Sequence, residues 1–171
     1  MQKVIDMDDS IRNILKSSVQ YLKNENIVLP QKAQVNIYHH CGLDRFESVG
    51  AVFVNIINRD YCKSYVIMKP GQDYPVHYHK IKNETFYVLR GTLRICVNDK
   101  EFILSPGEML NVKRGCDHSF GTSKGCIFEE ISTMYIPNDS IYLNDEIAKK
   151  SYNERRTVLD EKIWEETVTN A

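Results

Sequence analysis

The chain has 171 residues, 42% of them apolar and 26% charged, which suits one folded domain with a real core and excludes a disordered chain. Its 22 basic and 23 acidic residues leave a net charge of −1 and are mixed along the sequence, so no concentrated basic face offers itself to a nucleic acid. No apolar run nears the ~18–20 residues of a membrane span, and the five cysteines, odd in number and without a CxxC pair, point to reduced thiols and a cytoplasmic setting.

Taken in chain order, the first nine residues lack the basic end and apolar stretch of a secretory leader. Residues 8–25 carry Ile11, Ile14, Leu15, Val19 and Leu22 at helical spacing behind Asp8, Asp9 and Ser10, a set of helix-capping residues. Pro30 closes that unit. From Gln34 the chain turns to short segments rich in Val, Ile, Tyr and Phe, broken by Gly, Pro, Asn and Asp. Strands are expected over 34–38, 51–57, 64–69, 75–79, 84–90, 92–97, 100–104, 109–112, 117–121 and 126–133, a spacing that suits a sandwich or barrel rather than alternating strands and helices. Val97-Asn98-Asp99-Lys100 has the composition of a tight hairpin. After residue 134 the chain becomes polar, with short helices expected over 144–150 and 159–167, the second setting Ile163 and Trp164 against the barrel. The expected division is an N-terminal helical extension (1–33), an all-β barrel (34–135) and a C-terminal extension packed on it (136–171).

The chemistry concentrates between Gly71 and Gly91. His77 and His79 are two apart, so a strand projects both imidazoles from one face. Glu84 opens the next apolar segment, where a turn over 80–83 brings it back beside them, and imidazoles with a carboxylate suit a divalent first-row metal. A fourth ligand must come from one of the three other histidines. His39 and His40 are adjacent and would face opposite ways, whereas His118 follows a glycine turn into a further strand. On the strand Cys126–Thr133 the neighbouring Glu129 and Glu130 must face opposite sides of the sheet, so one lies inside, and a bulge would exchange their roles. A buried carboxylate needs a cation or metal. Lys82 is placed to share the face of Glu84, although it reads equally well as a solvated turn lysine beside Lys80. Arg90, Tyr78 and Tyr87 could donate hydrogen bonds to a polyol or could equally lie on the strand surface.

The spacing Gly71, five residues, His77-x-His79, four residues, Glu84, six residues, Gly91 resembles the first cupin motif in full. Gly115 and His118 match the second motif, which departs at its first position, where Lys113 stands in place of proline. The resemblance implies a single-domain cupin, a double-stranded β-helix or jelly roll, with His77, His79, Glu84 and His118 holding a metal. His-x-His-x-x-Lys-x-Glu together with the late glutamate strand is similar to the D-lyxose isomerase branch of cupins. That likeness implies manganese first, with iron, nickel or zinc also accepted, and Lys82 and Glu130 as the proton-transfer pair. Residues 46–158 also resemble small cupins associated with sialic-acid-type sugar synthases, which keeps open a non-catalytic sugar-binding or regulatory role. An iron dioxygenase would share the ligand set, but Lys82 and an interior Glu130 suit proton shuttling better. The expected partner is a small sugar, neutral rather than phosphorylated because the barrel mouth looks poor in basic residues, and a homodimer is expected because exposed strand edges need covering.

Overall fold

The structure is a computed structural model that describes residues 8–171; residues 1–7, which begin the expected helical extension, lie outside it. The elements run α1 (Asp9–Asn24), β1 (Gln34–Tyr38), β2 (Ala51–Asn58), β3 (Tyr61–Met68), β4 (Asp73–His79), β5 (Glu84–Gly91) and β6 (Leu93–Val97). They continue with β7 (Lys100–Leu104), β8 (Met109–Val112), β9 (His118–Gly121), β10 (Cys126–Thr133), β11 (Ser140–Tyr142), α2 (Asp145–Ala148), β12 (Arg156–Leu159) and α3 (Glu161–Asn170). Asp8 caps α1, its carboxylate accepting the Ser10 N–H at 2.7 Å.

Two antiparallel sheets face each other, one of seven strands in the order β12-β1-β2-β3-β10-β5-β8 and one of five in the order β11-β4-β9-β6-β7. The strands of the larger sheet bury side chains on both faces, and the two faces serve different cores. Phe53, Val66, Met68, Phe86, Val88 and Phe128 point between the sheets, where they meet Tyr74, Leu93, Ile95 and Phe120 from the smaller one. The intervening Val35, Ile37, Val52, Val54, Ile67 and Ile127 point outward and are covered by Ile14, Leu15, Val19 and Leu22 of α1 and Trp164 of α3. The period of 2 in the strands and the helical spacing of α1 therefore describe two sides of one contact. Trp164 is fully buried and its indole N–H donates to the Pro30 carbonyl at 2.9 Å.

Asn98 and Asp99 both have positive φ, +46° and +63°, the conformation of a two-residue turn whose twist matches its flanking strands. Gly91 ends β5 at φ +76°, and a Cβ there would sit 2.1 Å from the Gly125 carbonyl oxygen, so the motif glycine allows two backbones to touch.

The C-terminal region differs from the sequence expectation. It adds a strand to each sheet: β11 pairs with β4 through Ser140 and His79, Ile141 and Tyr78, and Tyr142 and His77, and β12 pairs with β1. Leu159 thus ends a strand, and the last helix starts two residues later than expected because Asp160 caps it, accepting the Ile163 N–H.

Candidate metal centre

Two strands of the smaller sheet bring the histidines together. His77 and His118 are cross-strand partners on β4 and β9. Between Tyr74 and His77 the register of β4 slips by one residue against β9. In a regular strand those two side chains would face opposite ways; the bulge turns both inward, with ring centroids 5.3 Å apart. His79 follows on the same face, and Glu84 enters from the first position of β5. Ligand atoms of His77, His79, Glu84 and His118 all lie within 4.8 Å of one another, and all four residues are buried.

The orientation of these groups fits a divalent cation. His77 Nδ1 lies 2.9 Å from the Pro75 carbonyl and His118 Nδ1 lies 3.0 Å from the Cys116 carbonyl. A carbonyl can only accept, so Nδ1 carries the proton in both and Nε2 presents a lone pair. Glu84 approaches His79 Nε2 at 3.1 Å and His118 Nε2 at 3.0 Å. These contacts have hydrogen-bond length without hydrogen-bond direction, and His79 Nε2, His118 Nε2 and Glu84 Oε2 are buried with no hydrogen-bond partner among the described residues. Converging, buried and unpartnered donor atoms are what a metal would satisfy. Burial, then the neighbouring His118 and His79, hold His77 well below the ordinary imidazole range, and therefore neutral and ready to ligate.

Lys82 stands in the β4–β5 turn with its ammonium 2.6 Å from Glu84 Oε1 and 3.0 Å from Glu130 Oε1. Burial alone would lower its pKa, but the two carboxylates outweigh that and hold it raised. For Glu84 burial pushes upward, yet Lys82 and the imidazoles keep it well below the usual carboxylate range. Glu130 goes the other way: burial, joined by the charge of Glu84, leaves it more basic than an ordinary carboxylate, with Lys82 offsetting only part. Of the adjacent glutamates, Glu130 is the one at the cavity, and Glu129 pairs outward with Lys63 at 2.7 Å.

The cavity encloses about 100 Å³, room for several waters or one small polyol, since a water needs ~10–15 Å³ of such space. Its walls include Asn36, Tyr38, Asn55, Ser64, Tyr74 and Tyr142 beside the metal cluster, Lys82 and Glu130. Tyr78, Tyr87 and Arg90 are not among them: the tyrosines alternate to the other face of their strands, and Arg90 bonds the Leu89 carbonyl outside. Neither adjacent histidine joins the cluster. His40 packs on Tyr74 and Tyr142, and His39 contacts Thr157.

Two contributions escaped the sequence. Asp139 accepts the backbone N–H groups of Lys80, Ile81 and Lys82 at 3.0–3.1 Å, so it sets the lysine turn, and it lies 3.5 Å from His79 Nδ1 without a hydrogen bond to it. Its position in an Asn-Asp-Ser turn marks it as a loop residue, and nothing local marks it as buried. The cavity wall also carries Arg155 and Arg156, so the mouth is not poor in basic residues as the sequence suggested. Arg156 opens β12, a strand that the sequence did not reveal, and Arg155 directly precedes it.

Comparison with known proteins agrees with this architecture. Residues 64–126 match the family described as "Cupin domain". A quercetin 2,3-dioxygenase of Bacillus subtilis (strain 168) is 26% identical over 105 residues, covering 53% of this chain and 31% of that protein; the chain thus spans under a third of that relative's length. The L-ribose isomerase of Geodermatophilus obscurus superposes with a TM-score of 0.69 at 13% identity, covering 82% of this chain and 94% of that one. The L-ribose isomerase of Cellulomonas parahominis, solved with L-ribose, gives 0.66 at 12% identity with the same coverage. At such identities the likeness is one of fold. With its two-sheet jelly roll, its cupin-domain match over residues 64–126 and its buried three-histidine, one-glutamate cluster, the chain has the cupin jelly-roll fold.

Proposed function

We propose that this protein is a metal-dependent sugar isomerase of the D-lyxose isomerase kind, interconverting an aldose and its ketose. The observation that carries the reading is the Lys82 ammonium held between Glu84 and Glu130 beside the ligand cluster and on the cavity wall. A proton donor and a carboxylate of raised basicity next to a metal centre are the equipment of proton transfer at a carbon adjacent to a carbonyl.

His77, His79, Glu84 and His118 would hold the ion, proposed as manganese, although three imidazoles and a carboxylate also accept iron, nickel or zinc. When bound, the ion supplies Lewis-acid stabilisation to the oxygens of a hydroxy-carbonyl pair. Glu130 takes the proton from C2 of the aldose and returns it to C1, so one C–H bond breaks and one forms. Lys82 donates a proton at the carbonyl oxygen and recovers one from the neighbouring hydroxyl. The exchange balances with no oxidant or reductant. Tyr74, Phe53 and Phe120 keep the inner wall apolar, which limits loss of the transferred proton to solvent.

The fold shared with two L-ribose isomerases is compatible with a pentose-sized substrate. The test is deuterium incorporation at C2 of D-lyxose, D-mannose and L-ribose by the manganese-loaded protein in D2O. Lys82→Met and Glu130→Gln should each lower exchange by at least ~10²-fold while metal analysis shows the ion retained. No exchange with any sugar tested refutes the proposal. Sugar binding without exchange would instead support a regulatory sugar-binding role, and oxygen uptake by the iron-loaded form would support a dioxygenase.

A further inference from the structure

The charges on the cavity wall do not balance. Lys82, Arg155 and Arg156 face only Glu84 and Glu130 there, and both carboxylates are taken by Lys82. Among the described residues no carboxylate lies within 4.0 Å of either guanidinium. Arg155 is only 8% exposed, and its side chain has no hydrogen-bond partner among the described residues. Its guanidinium lies over the Tyr142 ring at 4.9 Å, and that ring stacks on His77 at 5.3 Å. A single tyrosine therefore separates it from the metal cluster. Arg156 lies 3.5 Å over the Tyr152 ring, and its Nε is buried without a partner.

The aromatic faces offset part of the cost of burying these cations, but apart from a long 3.5 Å bond from Arg156 Nη1 to the Tyr38 hydroxyl they leave the in-plane N–H donors without an acceptor among the described residues. A planar fork of donors with no acid beside it matches the oxygens of a carboxylate or phosphate. The cavity wall also carries polar, uncharged groups. Asn36 Oδ1 is buried with no partner and suits a hydroxyl donor, and Asn55 and Ser64 bond each other.

We propose that the substrate is an anionic sugar: a polyhydroxy chain whose carbonyl end meets the metal cluster and whose remote end carries a carboxylate or phosphate held by Arg155 and Arg156. This rests on the isomerase reading for the carbonyl end alone. The anion end stands on the two guanidiniums that have no carboxylate beside them among the described residues. It replaces the neutral sugar expected from the sequence.

The test uses ligands that no isomerase can turn over. Binding of D-mannitol, D-mannitol 1-phosphate and D-mannonate to the manganese-loaded protein is measured by calorimetry. At least one anionic probe should bind about tenfold or more tighter than mannitol, the gain expected of charge-assisted hydrogen bonds. Preference for the phosphate or for the carboxylate identifies the anion. Arg155→Gln and Arg156→Gln should each remove most of that preference, and Arg155→Lys should keep part of it. Arg156 is the less buried of the two, so its variant decides the matter if Arg155→Gln does not fold. Equal binding of mannitol and both anions overturns the inference, as does a preference that survives Arg156→Gln. Tight anion binding with no C2 exchange in any sugar would support the inference and sink the isomerase reading, so the two fail separately.

Discussion

Replacing Lys82 with methionine removes the cation held between two buried carboxylates. Glu84 and Glu130 each touch the same nitrogen, at 2.6 and 3.0 Å, so their facing oxygens are no more than about 6 Å apart, and at an effective dielectric of ~20 their repulsion is worth about 3 kcal/mol. That agrees with the ~3–5 kcal/mol lost when one partner of a buried ion pair is deleted. The metal-free protein at pH 7 should therefore lose about 3 kcal/mol on Lys82→Met. Adding Glu130→Gln removes one of the two charges and should restore about 2 kcal/mol or more of it, whereas Glu130→Gln alone, leaving Lys82 on Glu84, should cost less than the lysine variant. Urea unfolding followed by fluorescence provides the assay, since Trp164 is the single tryptophan and is fully buried. Full stability of Lys82→Met, or no recovery in the double variant, would mean that Lys82 is a solvated turn residue and that its contacts carry no energy.

Three further outcomes follow from other parts of the molecule. Burial, assisted by Arg155, lowers the His40 pKa to about 3, so the folded state stays unprotonated where the unfolded chain takes up a proton. The stability this gives is complete above the ordinary imidazole pKa and is lost as the pH falls below it; between pH 7.5 and 5 the loss should be about 2 kcal/mol, and it should be missing from the same urea titrations of His40→Phe. Gly91→Ala must force a Cβ onto the Gly125 carbonyl, whereas Gly71, at φ +83°, has nothing within 4 Å. Gly71→Ala should cost about 1–2 kcal/mol for its backbone conformation alone and Gly91→Ala clearly more in parallel thermal melts. Manganese at 100 times its dissociation constant should stabilise the protein by about 2.7 kcal/mol, read as a rise in Tm, and His118→Ala should abolish the rise.

Much of the barrel was legible because its signals are local. Ile14, Leu15, Val19 and Leu22 repeat with the helix, His77 and His79 with the strand, and Asn98-Asp99 supplies its own turn. The four ligands occupy spacings that short strands convert directly into one cluster. Residues whose role depends on distant pairing could not be read. Tyr74 faces the cavity only because β4 slips against β9, and neither strand's sequence announces the slip. β11 and β12 are three and four residues long and lie among polar neighbours, so their strand character comes from the edges of β4 and β1. Asp139 and Arg155 follow from those pairings, which is why a loop aspartate and a charged arginine proved to be buried parts of the site.

That late segment also sets an order of assembly during synthesis. His118 completes the candidate ligand set, and β10 brings Glu130 soon afterwards, so those four residues, Lys82 and Glu130 are all in the chain by residue 133. The emerging protein then still lacks β11, β12 and both arginines. As the remaining residues leave the ribosome, β11 joins one sheet and β12 the other, and Tyr142, Tyr152, Arg155 and Arg156 take their places in the cavity wall. The four candidate ligands are therefore all made before the two arginines of the cavity wall.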